Sequence, residues 1–210
     1  MKILYMDCFL GFSAGMLLGA LIDAGANPDE IYAELEKENI DLSISVQYTD
    51  RASIRCRKAF AVLQKPVPEH IPDHIDNIYT KYGASDETTP GCMRAVAAAL
   101  KLLGIEYIIT SDVSLNETAD GTVLELLNNA GIEIMPGDEN CENMQSSDAA
   151  FLCSIANECG PRPDMQVLSI GYGAGGIDPT KANIITAVIG NYDSNIFLEN
   201  EEYRELISAL

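Results

Sequence analysis

Asp7 and Cys8 place a carboxylate and a thiol side by side directly after the apolar run Ile3-Leu4-Tyr5-Met6. A buried strand ending in such a pair presents it where open α/β sheets take up ligands, beyond the strand carboxyl ends. A helix that starts soon afterwards turns its N-terminus towards the pair, which lowers a thiol pKa or holds an anion. Asp7 and Cys8 are therefore the catalytic candidates. The same spacing equally suits a carboxylate bonded to loop amides beside a buried thiol. Gly11 and Gly15 permit a tight backbone in the turn that follows, and the Ser13 hydroxyl either caps the helix or faces a phosphate. These three are ligand-binding candidates.

Gly171-Tyr172-Gly173-Ala174-Gly175-Gly176 satisfies G-x-G-x-x-G. The dinucleotide fingerprint requires a helix N-terminus directly after the glycines, within a βαβ unit. Here Ile177-Asp178-Pro179 leads instead into the apolar run from Ile184 to Ile189, which excludes that site. The stretch reads as a glycine-rich connection between two strands, with Gly171, Tyr172 and Gly173 as candidates for lining a ligand. His70 and His74, the only histidines, stand four apart among Glu69, Asp73 and Asp76. Such a pair on one helix face grips a divalent metal. Pro72 lies between them and sets His70 ahead of any helix, which favours a solvated acidic loop.

The elements that must position these groups follow from periodicity. After the first strand, Met16, Leu17, Ala20, Leu21 and Ala24 repeat at helical spacing behind Ser13, and Asn27-Pro28-Asp29-Glu30 opens a second helix. From Leu42 to Leu63 the period changes to two, broken at Thr49-Asp50-Arg51, which predicts a hairpin. A short helix is expected near Asp73 to Tyr82. Thr89-Pro90 opens another, with Met93, Val96, Ala97, Leu100 and Leu103 inward, ahead of a strand over 105–110. Thr118 or Asp120 starts a further helix before the strand 132–135. Ser146-Ser147 starts one more, which Cys159-Gly160-Pro161 ends. Strands over 165–170 and 183–189 complete an α/β or α+β layered sheet with helices packed on it and one hairpin inserted. Residues 1–190 form one domain. Residues 191–210 form an acidic tail in which Phe197, Tyr203, Leu206, Ile207 and Leu210 make a helical apolar stripe.

Thirteen Lys and Arg against 32 Asp and Glu leave a net charge of −19 over 210 residues. That field repels phosphate backbones and anionic membrane surfaces, so neither nucleic acid nor membrane is an expected partner. With 47% hydrophobic and 21% charged residues, the composition is that of a folded, soluble chain. Asp7 and Asp23 interrupt the apolar stretch from Ile3 to Ala26, and a central carboxylate costs roughly 2.5–3.5 kcal/mol in a membrane span. Six cysteines without a C-x-x-C pair read as reduced thiols of a cytoplasmic protein, Cys92 and Cys153 as small core hydrophobes.

Residues 5–21, from Tyr5-Met6-Asp7-Cys8-Phe9 to Gly19-Ala20-Leu21, resemble the opening of the LarC family of nickel insertion proteins, D-C-F-S-G-[IV]-S-G-D-M-x-L-G-A. Cys159-Gly160-Pro161-Arg162-Pro163-Asp164-Met165, Ile170-Gly171-Tyr172-Gly173-Ala174-Gly175, Asp178 and Asn183 resemble its G-P-x-P-x-M…I-G-Y-G-A-G-x-x-D…N signature. Ala95 to Glu106 is similar to its A-A-x-x-L-x-x-L-G-[VI]-E helix and strand.

The resemblance implies a cyclometallase that inserts nickel into a pyridinium bisthiocarboxylic acid mononucleotide, the pincer cofactor precursor of lactate racemase, in a CTP-dependent step. Asp7, Cys8, Gly11, Ser13 and Met16 match the family position by position, whereas Leu10 and Gly15 replace its Ser and Asp. The histidine-rich stretch is reduced to His70 and His74, so nickel binding by the chain alone is expected to be weak. The H-F-H-E-V-G segment and the CTP-binding second domain have no counterpart. Two functions follow as expectations. One is nickel insertion completed in trans by a separate CTP-binding subunit. The other is a noncatalytic homologue that binds a nucleotide-like molecule or a partner protein.

Overall fold

In a computed structural model that describes residues 1–66, 74–83, 89–138, 141–176 and 183–192, the first apolar run forms β1 (Lys2–Asp7). The Ser13 hydroxyl accepts from the Met16 amide at 3.3 Å and starts α1 (Ala14–Asp23). Asn27 does the same at 2.9 Å for the Asp29 amide, with Pro28 opening α2 (Pro28–Glu36). The period-two stretch is the expected hairpin, β2 (Leu42–Arg51) paired antiparallel with β3 (Ile54–Leu63). Then come α3 (His74–Tyr82), α4 (Thr89–Leu103), β4 (Tyr107–Thr110), β5 (Val113–Leu115) and α5 (Gly121–Asn129), the last capped by Asp120. The last elements among the described residues are β6 (Ile134–Pro136), α6 (Ser146–Ile155), β7 (Glu158–Cys159), β8 (Gln166–Ala174) and β9 (Ile184–Asn191).

Among the described residues seven strands join one mixed sheet in the order β2-β3-β8-β9-β1-β4-β7, while β5 and β6 pair separately. Both β1 and β8 run antiparallel to β9, so their carboxyl ends emerge on the same edge. α1 lies across β8, β3 and β9 and packs on α4. Its Met16, Leu17, Leu18 and Leu21 are fully buried, each worth about 1.5–3 kcal/mol relative to an exposed side chain. β3 meets β8 in register only at Arg57 beside Gly173 and then parts from it. The gap so left is roofed by the starts of α1 and α4.

The strand β5 was not among the expected elements, and three other details differ from the sequence expectation. α6 ends at Ile155 rather than at Cys159-Gly160, because Asn157 leaves the helix to bond β4. Its amide donates to the Ile108 carbonyl and its side chain accepts from the Ile108 amide, both at 2.8 Å, and β7 then extends the sheet edge. The strand expected to end at Ile170 runs on to Ala174, so most of the supposed glycine connection is strand. Ala97 faces solvent, where Ala98 and Ala99 turn inward in its place. All six cysteines are free thiols, and no helix among the described residues is long and apolar enough to cross a membrane. The proposed tail falls almost wholly outside the described residues.

Candidate functional site

Two clefts open at the edge where β1 and β8 end, and the turn from β1 to α1 separates them. The first, about 310 Å³, is lined by the cap Ser13 and by Gly15 of α1, Lys58 and Phe60 of β3, Glu142 and Gly176. The second, about 450 Å³, is lined by Asp7, Ser111, Asp112, Glu133, Cys159 and Pro161. The N-terminal turn and the end of the glycine run thus meet in the first cleft, as expected of two segments on one side of the sheet.

Asp7 is exposed at the tip of β1 and accepts from the Phe9 amide at 3.2 Å, on the side of the second cleft. Cys8, next in sequence, points the opposite way and is wholly buried, with the Thr110 hydroxyl 3.5 Å from its sulfur. Burial pushes its thiol up to about 12, outweighing the Thr110 hydrogen bond. The lowering expected from the α1 N-terminus is absent, because desolvation of a thiolate costs more than a partial helix charge returns. At pH 8 that shift leaves about a thousandfold less thiolate than an ordinary cysteine carries. Iodoacetamide at that pH is expected to modify half-buried Cys159 in the native protein and to reach Cys8 only on unfolding, as read by peptide mass spectrometry. Equal labelling of the two would contradict the burial.

Gly11 adopts φ +94°, and a side chain there would meet the Cβ and backbone of Glu142 at 3.0–3.1 Å. Its role is to let the turn close on Glu142. Ser13 accepts from the Met16 amide through its hydroxyl oxygen and keeps its O–H to donate, while Gly15 borders the first cleft and allows the Ala59 carbonyl to approach. Gly171 and Gly173 face α1 instead of either cleft: a methyl on Gly173 would overlap the Met16 carbonyl oxygen, and one on Gly171 that of Ala20. Tyr172 lies between them, its amide donating to the Asp23 carboxylate at 3.0 Å. His74 is the exposed first residue of α3, and His70 falls outside the described residues. Among the described residues no group of three His, Cys, Asp or Glu is placed to hold a metal ion. Substituting both histidines by alanine is expected to change nickel affinity less than about tenfold by titration calorimetry, and a larger loss would make them ligands.

Sequence reasoning passed over Glu142 and Asp148. Asp148 is buried in the first turn of α6, and its carboxylate accepts from the Ala14 amide at 2.8 Å, so one charge serves the N-termini of two helices. Glu142 donates its amide to the Leu10 carbonyl at 2.8 Å. Its carboxylate accepts from the Gly176 amide at 3.2 Å and from the Asn183 side chain at 2.9 Å. In sequence both belong to an acidic stretch that looks like any solvated face. An acid in the first turn of a helix was the one available signal, and it pointed to α6 alone.

The model of the nickel insertion protein family matches residues 4–95 and 92–208. The chain belongs to this family. Among curated relatives, this family member is 28% identical over 251 residues to the pyridinium-3,5-bisthiocarboxylic acid mononucleotide nickel insertion protein of Geobacillus kaustophilus, covering 90% of the chain and 60% of the relative. Proteins of the same name from Acetivibrio thermocellus and Staphylococcus epidermidis are 24% and 27% identical, with 96% and 89% of the chain and 63% and 59% of the relative covered. The chain therefore spans about 60% of the length of the curated relatives it matches. Each alignment is longer than the 210-residue chain, so these relatives carry residues within the matched region that the family member lacks. No solved structure matches it.

Proposed function

We propose that this chain is the precursor-binding part of a nickel insertion system, and that its first cleft holds a pyridinium mononucleotide while nickel enters. The observation that carries this reading is the convergence of two family stretches from opposite ends of the sequence on one cleft, at Ser13 and Met16 and at Ala174. Lys58 supplies an ammonium for the nucleotide phosphate, joined by the hydroxyl of Ser13 and the backbone of Gly15 at the start of α1. The Phe60 ring, beside Lys58 on β3, offers a π face to the cationic pyridinium.

Nickel is a substrate in this reading. A borderline cation prefers sulfur and nitrogen donors, and the two thiocarboxylates of the precursor supply sulfur. The chain's share is to hold that precursor, with exposed Asp7 and its acidic neighbours on the second cleft drawing in the divalent cation. Cys8, sealed under Thr110, serves the core. A separate subunit contributes the CTP-dependent step, and six reduced thiols suit the cytoplasm.

The burial of Cys8 favours a second reading, in which the chain binds the nucleotide without catalysing insertion. One experiment separates the two. The chain is incubated with precursor, Ni²⁺ and CTP, together with the C-terminal part of a curated relative, and the nucleotide is analysed by mass spectrometry. Nickel-containing product is expected. Precursor binding without product would select the second reading, and absence of precursor binding would overturn both.

A further inference from the structure

We infer that Glu142 is a positioning residue, a latch that joins the N-terminal turn to the end of the glycine run and so shapes the first cleft; this rests on reading that cleft as the binding site. Three contacts support the assignment. The Glu142 amide is bonded to Leu10 on one side at 2.8 Å. Its carboxylate takes the Gly176 amide on the other side, at 3.2 and 3.3 Å to its two oxygens. The same carboxylate takes the Asn183 side-chain nitrogen at 2.9 Å. The glycines around it are shaped to it. Gly11 has no room for a side chain against Glu142, and a methyl on Gly175 would overlap both the Glu142 carboxylate and the Asn183 side-chain oxygen.

Charge and geometry can be told apart here, because one carboxylate oxygen of Glu142 accepts both from the Gly176 amide and from the side-chain nitrogen of wholly buried Asn183. A glutamine at 142 with its oxygen in that place would accept both bonds without the charge. A latch therefore tolerates Glu142→Gln and fails with Glu142→Ala, whereas a carboxylate required for its charge fails with both.

Hydrogen exchange at the Gly176 amide, followed by NMR on the ligand-free protein, reads the latch directly. Glu142→Ala is expected to speed exchange at Gly176 about tenfold or more while Glu142→Gln stays near wild type. Asn183→Asp sets two carboxylates face to face and should also release Gly176. Adding Glu142→Gln to it restores protection, since the new carboxamide donates to the new carboxylate. This second pair decides the matter if Glu142→Ala does not fold. Unchanged exchange in Glu142→Ala, or equal acceleration in Glu142→Gln, overturns the inference. Affinity for nicotinic acid mononucleotide, a pyridinium mononucleotide probe, should fall about tenfold in Glu142→Ala and recover in Glu142→Gln. If the wild-type chain does not bind the probe, the binding role of the cleft fails, and the exchange series still decides the role of Glu142.

Discussion

Replacing Gly173 by alanine is expected to cost about 3 kcal/mol or more of stability, a large part of what a domain of this size possesses. The added methyl would overlap the carbonyl oxygen of Met16 and crowd the amide of Ala20 at 2.7 Å, both on the backbone of α1. Backbone atoms inside a helix cannot swing aside as a side chain can, so α1 as a whole must lift from β8. That motion loosens the burial of Met16, Leu17 and Leu21 and opens the cleft that Ser13 and Gly15 border. Gly160→Ala is the control: its methyl would meet only the far end of the exposed Glu158 side chain at 3.9 Å, and the expected cost is below about 1 kcal/mol. Urea unfolding measures both. Similar midpoints for the two variants would refute the account of β8 as the bed of α1.

Asp148→Ala is expected to cost about 1.5–3 kcal/mol, the range for a buried hydrogen bond to a charged group. The substitution strips the Ala14 amide of its acceptor and removes a negative charge from the first turn of α6 as well as from the start of α1. Asp148→Asn keeps an acceptor without the charge and should recover part of the loss. In a chain of this length the melting temperature shifts by about 2–4 °C per kcal/mol, so differential scanning calorimetry resolves the three proteins. Because Ala14 adjoins Ser13 and Gly15, weaker binding in the first cleft should accompany the fall. A melting temperature unchanged in Asp148→Ala would show that the α1 start is held by other contacts.

Most of the elements and their order are legible in the residues alone. Ser13, Asn27 and Asp120 cap helices through bonds that reach two or three residues along the chain, and the hairpin from Leu42 to Leu63 announces itself by alternation. Such signals are local, so neighbouring residues carry them whole. The two family stretches likewise pointed to one edge of one sheet, since strand ends and helix starts set that edge. What those residues do there was a tertiary decision. Cys8 looked like a reactive thiol beside Asp7, yet the alternation of β1 and the cover of Thr110 turn it inward, where burial rather than the helix start governs its proton. Gly171 and Gly173 looked like a ligand loop and are the places where a helix backbone rests on a strand. Glu142 and Asp148 carried no mark in sequence, because their partners Leu10, Gly176, Asn183 and Ala14 are distant along the chain. Periodicity and capping reach a few residues; a carboxylate that bonds across such distances acquires its meaning only when the sheet brings those segments together.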